Sequence, residues 1–141
     1  MIGVEEFVER LCRICAASGP RPFPRARRDR EILVESILLG LDSGRTYEER
    51  EINARLKAWL RDVAPSLETD HVTLRRLLVD VHRLERTASG SSYRVAFSSK
   101  MTAFELAVYD LDLTATIAAY REYDEKRRRE KRAAAITSRS D

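Results

Sequence analysis

Arg75 and Arg76 stand side by side in the run Asp70-His71-Val72-Thr73-Leu74-Arg75-Arg76-Leu77-Leu78-Val79-Asp80. A guanidinium group stays charged and presents a fixed fork of donors, which suits guanine edges and phosphates. Thr73 precedes Arg76 by three residues, so on a helix the two share a face, with His71 and Arg75 at its flank. Arg83 falls on the same helical face, and Arg86 and Arg94 bracket the turn residues Ser89-Gly90-Ser91. A helix of this kind can enter a DNA groove while the hairpin beside it touches the backbone. His71, Thr73, Arg75, Arg76, Arg83, Arg86 and Arg94 are therefore the candidate DNA-binding residues. The start of the helix is also expected to favour a phosphate.

The same residues allow two other uses. Asp80 lies four residues after Arg76, and a pair at that spacing is worth roughly 0.2–0.5 kcal/mol on a helix surface. Together with Glu85 it puts negative charge where a phosphate would approach. Arg75 and Arg76 can instead brace the domain against Glu48, Glu49 or Glu51, or the face can meet another protein. A second basic set is Arg25, Arg27 and Arg28, with Arg30, at the start of a helix. Positive charge there opposes the helix dipole, so these residues form a phosphate-facing edge or a solvated surface. Arg127 and Arg128 lie in a run that mixes bases with acids, which can attract nucleic acid or simply solvate a helix end.

Other chemistries have less support. Cys12 and Cys15 are spaced as half a zinc site or a redox pair, but a structural zinc needs four ligands. The two histidines, His71 and His82, do not complete one. Val4, Val8, Leu11 and Cys15 follow helical spacing, which makes Cys15 a core residue. The chain has no glycine-rich phosphate loop and no nucleophile motif. The expectation is a protein that is not an enzyme and uses no metal or cofactor, and no small-molecule substrate is identified from its residues.

The elements that must position these residues can be read from periodicity. Residues 3–17 form an amphipathic helix, ended by Ser18-Gly19-Pro20-Arg21-Pro22-Phe23-Pro24, an extended connector and candidate boundary. A second helix covers about 25–41. Thr46-Tyr47-Glu48-Glu49 fits a capping box ahead of a third helix, whose stripe is Ile52, Leu56, Trp59, Leu60 and Val63, and Pro65 stops it. Asp70 caps the fourth helix, with Leu74, Leu77, Leu78, Val81 and Leu84 inward. The pattern then alternates, with Tyr93, Val95 and Phe97 on one side of a strand. A last helix is expected from Thr102, capped with Glu105, to about Ala134, roughly 50 Å long. Its two apolar stripes ask for cover on two sides. Phe104, Val108, Leu111, Leu113 and Ile117 are therefore the candidate dimer interface, with the N-terminal helix as the alternative cover.

The totals agree with a soluble protein. Of 26 basic residues 22 are arginine, a bias that GC-rich coding would also produce, and the net charge is only +3. The mean hydropathy is −0.43 and 35% of residues are charged. No apolar run approaches the roughly 18 residues of a membrane span, and the acidic N-terminus is unlike a signal peptide. A cytoplasmic location follows as an expectation.

From Phe23-Pro24 to Tyr93-Arg94 the chain resembles a small bacterial family, domain of unknown function 2087. The resemblance rests on Phe23-Pro24, Tyr47-Glu48-Glu49-Arg50-Glu51-Ile52-Asn53, Asp70 through Arg76 with Leu78-Val79-Asp80, and Leu84-Glu85-Arg86 with Tyr93. It covers about half of the chain and implies a winged-helix-like fold and a role in transcription, with no established activity. Residues 61–69 look longer than the family's usual link, and the helices before residue 20 and after residue 100 lie outside its pattern. The expected architecture is mainly α: an N-terminal helix at 1–19, a winged helix-turn-helix domain at 20–99, a long dimerisation helix at 100–134 and a disordered tail at 135–141. The expected function is a homodimeric DNA-binding regulator of transcription. The alternative is a protein-interaction or assembly module of the same shape.

Overall fold

The computed structural model describes residues 1–97 and 102–140. Five α-helices and a short 3-10 helix surround a small antiparallel sheet, in the order α1 (Val4–Cys15), α2 (Arg27–Leu38), β1 (Thr46–Glu48), α3 (Glu49–Asp62), α4 (His71–Asp80), β2 (Leu84–Arg86), β3 (Ser92–Val95), the 3-10 turn (Leu106–Asp110) and α5 (Leu113–Ser140). The molecule is thus mainly helical, and no described helix is long and apolar enough to cross a membrane.

The sheet has three strands in the order β1-β3-β2. Tyr47 lies opposite Tyr93, and Leu84 opposite Val95. Tyr47, Tyr93 and Leu84 are buried, so one face of the sheet closes the core. The β1 strand replaces the capping box expected at Thr46-Glu49. Thr46 pairs with Arg94 across the sheet, and α3 starts after Glu48 with no side-chain cap. The non-local pairing wins because Tyr47 gains full burial, and its hydroxyl accepts a 2.8 Å hydrogen bond from the Asp42 amide.

The core is continuous from α1 to β3. Phe7, Leu11, Cys12, Ile14 and Cys15 of α1 join Ile32, Leu33, Ile37 and Leu38 of α2 and Ile52, Leu56 and Trp59 of α3. Trp59 donates through its indole N–H to the Ser36 hydroxyl at 3.1 Å, and that hydroxyl donates to the Leu33 carbonyl at 2.7 Å. These buried polar groups are therefore satisfied. The N-terminal helix is not an appendage on a loose linker. Arg21 in the proline-rich connector pairs with the link before α4, its amide donating to Ser66 O at 2.8 Å and its carbonyl accepting from Glu68 N at 2.7 Å. The link after α3 also carries Val63, Ala64 and Leu67 into the core.

The C-terminal part differs most from expectation. Residues 102–105 are not helical, and the Thr102–Glu105 capping box does not form. Thr102 donates its hydroxyl to Glu31 instead. Phe104 makes a parallel bridge with Ile2, whose amide donates to Ala103 O and whose carbonyl accepts from Glu105 N, each at 2.9 Å. The Glu105 carboxylate accepts from the Val4 amide at 3.1 Å, so it caps α1 from a distance. A side chain at Gly3 would start 3.1 Å from that same carboxylate oxygen, close enough that Glu105 would have to shift by a few tenths of an ångström. Helix α5 begins only after Asp112, whose carboxylate accepts from Ala115 N at 3.1 Å as a local N-cap.

The proposed dimer interface is corrected by this path. Phe104, Val108 and Ile117 are buried within one chain, and Phe104 packs edge-on against Phe7 with ring centroids 5.9 Å apart. Leu111 and Leu113 are partly buried against the same core. The apolar residues do not form two stripes on one rod, because the chain turns at residues 106–112 and wraps α1. Beyond Arg121, which donates to the Cys15 carbonyl at 3.2 Å, the exposed half of α5 continues as helix through the stretch expected to be a disordered tail.

Candidate nucleic-acid interface

Helix α4 is set by its cap and by two buried leucines. Asp70 accepts from the Thr73 amide at 2.7 Å, and Leu74 and Leu78 face the core. Hydrogen bonding to the Thr73 amide holds the Asp70 carboxyl below its ordinary value, so it stays ionised. This occupies the helix start with a carboxylate and removes the phosphate site expected there. His71, the first residue of the helix, is partly buried.

The outer face of α4 carries Thr73, Arg76 and Asp80, all exposed. No described residue holds Arg76 in an ion pair, and the Arg76–Asp80 pair does not form. Arg75 behaves differently, with a side chain only 16% exposed. It donates to the Asn53 side-chain oxygen, lies 3.2 Å from the Glu49 carboxylate, and covers the Tyr93 ring at 5.6 Å from its centroid. It therefore ties α4 to α3 and β3. The adjacent arginines divide the two uses between them, one as a brace and one as a free cation.

Arg83 is the clear correction. The helical spacing puts it on the face of Thr73 and Arg76, but α4 stops at Asp80. His82 takes a left-handed backbone with φ of 60°. Its amide donates to Val79 O at 3.0 Å and the Arg83 amide donates to Leu78 O at 2.9 Å. This is the double-bonded helix ending usually built on glycine. It reverses the chain and sends Arg83 inward, where it donates to Glu35 of α2 at 2.8 Å. The two side chains are 9% and 4% exposed. Burial, then the neighbouring Glu35 carboxylate, pushes the Tyr109 hydroxyl above its ordinary value beside this pair.

On the hairpin, Arg86 and Arg94 are exposed but occupied. Arg94 lies 3.2 Å from Glu85, its cross-strand neighbour, and Arg86 donates to the Gly90 carbonyl at 2.8 Å. Gly90 supports that turn with φ of 75°. The second basic set is divided as well. Arg27 pairs with Glu31 at 3.1 Å, Arg28 donates to Glu6 at 2.6 Å, and Arg127 and Arg128 both reach Asp124. Arg25 has no partner among the described residues.

Arg50 and Lys57 were not among the predicted residues. They line a shallow groove on α3 with Glu49, Asn53 and Ala54, and both are exposed. Their signal was present in the spacing, since Arg50, Ala54, Lys57 and Arg61 recur opposite the buried Ile52, Leu56 and Trp59. Cys12 and Cys15 lie in the core, where burial pushes their thiols up to about 11 and about 12. Both therefore stay protonated near neutrality, unlike reactive cysteines.

No curated protein and no solved structure matches this chain. Residues 21–95 match a bacterial family. That span starts at Arg21, where the connector clamps the link before α4, and ends with the last residue of β3. It leaves α1, the 3-10 turn and α5 outside. On that match, the chain belongs to the family described as an uncharacterized protein conserved in bacteria (DUF2087).

Proposed function

We propose that this protein is a DNA-binding regulator of transcription of the winged-helix type. The observation that carries the reading is the order α2-β1-α3-α4-β2-β3 with strands arranged β1-β3-β2, combined with the exposed, unpaired Arg76 on α4. In this reading α4 enters the major groove with Thr73 and Arg76 toward the bases. Arg76 can pair bidentately with guanine. Arg50 and Lys57 on α3 take phosphates, and the β2–β3 hairpin is the wing. Arg86 and Arg94 can exchange their internal partners for phosphate, because exposed pairs are weak. Homodimerisation belongs to the same reading, through the half of α5 beyond Arg121, where Tyr123 is exposed.

Fluorescence-polarisation binding to duplex DNA over a salt series tests this. Affinity should fall steeply with salt, and Arg50→Ala should reduce the slope by about one unit, as loss of one phosphate contact does. Arg76→Ala should cost about 1–3 kcal/mol of discrimination at a guanine-containing site. Salt-independent binding, or unchanged affinity in Arg76→Ala, defeats the proposal. A light-scattering mass of 16.2 kDa at micromolar concentration removes the dimer.

A second reading is a protein-interaction module. It is favoured by the occupation of Arg75, Arg86 and Arg94 by internal partners and by the exposed Asp80 and Glu85 on the same side. It gains if DNA does not bind and if Arg76→Ala leaves the oligomeric state unchanged.

A further inference from the structure

A cavity of about 400 Å³ opens between the first turns of α2, the end of α4 and Phe104. Its walls are of two kinds. Val34, Leu77, Val81 and Phe104 provide apolar surface, while Arg25, Arg27, Arg30 and Arg83 also line it, the Arg30 guanidinium lying over the Phe23 ring at 5.5 Å. Its size falls within the range of small-molecule sites, roughly 300–1,000 Å³, and apolar walls with a few converging polar groups are their usual form.

The charges in the wall are unbalanced. Glu31 is the acidic residue of the lining, and it is already engaged by Arg27 and by the Thr102 hydroxyl. Arg30 spends its Nε on the Pro24 carbonyl at 2.8 Å. Arg25 has no partner among the described residues. Arg83, nine-tenths buried, uses Nη1 on Glu35, yet its Nε–H finds no acceptor among the described residues. An unsatisfied buried donor on a charged group is costly and calls for an explanation. The concave wall thus offers cationic donors in excess of its own acceptors, over an apolar floor.

We propose that this cavity binds a small organic anion, a carboxylate carried on an apolar body. The carboxylate would accept from Arg25 and its neighbours, since the guanidinium fork matches a planar carboxylate. The apolar body would cover Val34, Leu77, Val81 and Phe104. Binding here is independent of whether α4 meets DNA, and it is read without DNA.

The test uses the full chain and octanoate as the probe, with octylamine and inorganic phosphate in parallel. Titration followed by amide NMR should move the signals of Val34, Val81 and His82, and octanoate should raise the melting temperature. Octylamine lacks the negative charge and phosphate lacks the apolar body, so each should bind at least about tenfold more weakly. Arg25→Glu is at an exposed, unpaired position and Val81→Glu at a half-exposed one, so both variants should keep the native circular dichroism spectrum. Each should weaken octanoate at least about tenfold. The proposal is overturned if octanoate moves none of these signals, if octylamine or phosphate binds as tightly, or if both variants bind octanoate like the parent chain.

Discussion

Arg76 and Arg83 lie seven residues apart, and helical spacing puts them on one face, yet they end in opposite environments. Arg76 stands in solvent with no ion-pair partner, while Arg83 is buried against Glu35. The difference comes from the two residues between Asp80 and Arg83. Where α4 continues, a polar side chain stays on the outer face. Where the chain takes the left-handed turn at His82, the next side chain goes inward. An arginine's role here is decided by where its helix stops.

That contrast can be broken first at the buried end. Arg83→Ala leaves the Glu35 carboxylate buried without its cation, and loss of one partner of such a pair costs about 3–5 kcal/mol. Urea unfolding should show this as a large fall in midpoint. Arg83→Met combined with Glu35→Leu should recover most of it, because an apolar pair of similar volume is often nearly neutral. A mild effect of the single variant would mean that the pair is wetter than its burial implies.

The two adjacent arginines sharpen the comparison within α4 itself. Arg75→Ala removes the bridge to Asn53 and Glu49 and should destabilise by about 1.5–3 kcal/mol, the usual worth of hydrogen bonds to charged groups. Arg76→Ala should change stability by less than about 0.5 kcal/mol. Equal losses in thermal unfolding would show that Arg76 is also structural. The hinge residue gives a change of opposite sign. His82→Gly relieves the left-handed backbone and should stabilise by about 1 kcal/mol. A loss of stability would place another constraint on His82, such as contact through its side chain.

The smallest effect concerns the α1–α2 contact. The hydrogen bond from Arg28 holds the Glu6 carboxyl at about 2, against an ordinary 4.5. A depressed carboxylate pKa contributes stability that is present above pH 4.5 and is lost as pH falls toward 2. NMR titration of Glu6 should give a midpoint near 2 in the parent chain and a higher one in Arg28→Gln, still below the ordinary value because Arg10 keeps its own hydrogen bond to the carboxylate.

Much of the fold was legible because it rests on local rules. The buried stripes of α1 to α3, Leu74 and Leu78 of α4, the Asp70 cap and the alternation at Tyr93-Arg94-Val95 follow from spacing within a dozen residues. Val81 and Phe97, expected inward by the same spacing, are exposed because helix and strand end before them. The strand β1 was not legible. Three residues carry no periodicity, and Thr46-Tyr47-Glu48-Glu49 satisfies a capping pattern equally well until β3 is available to pair with it. The C-terminal stripes misled for a related reason. Phe104, Val108 and Ile117 fit one helix, but contact with Ile2 and Phe7 and the cap at Asp112 make the chain turn instead.

Of the candidate interface, residue types and their order along the chain were written in the sequence: a capped helix, two arginines and a hairpin. Which arginine is free, which is a brace and which is buried was settled only by packing. Each guanidinium chooses between water and a carboxylate distant in sequence, from Glu49 for Arg75 to Glu35 for Arg83. Such choices depend on distances that exist only once the helices have docked. Local spacing specifies the helices because it is set by the backbone's own geometry. It cannot specify which charge each helix will find across the core.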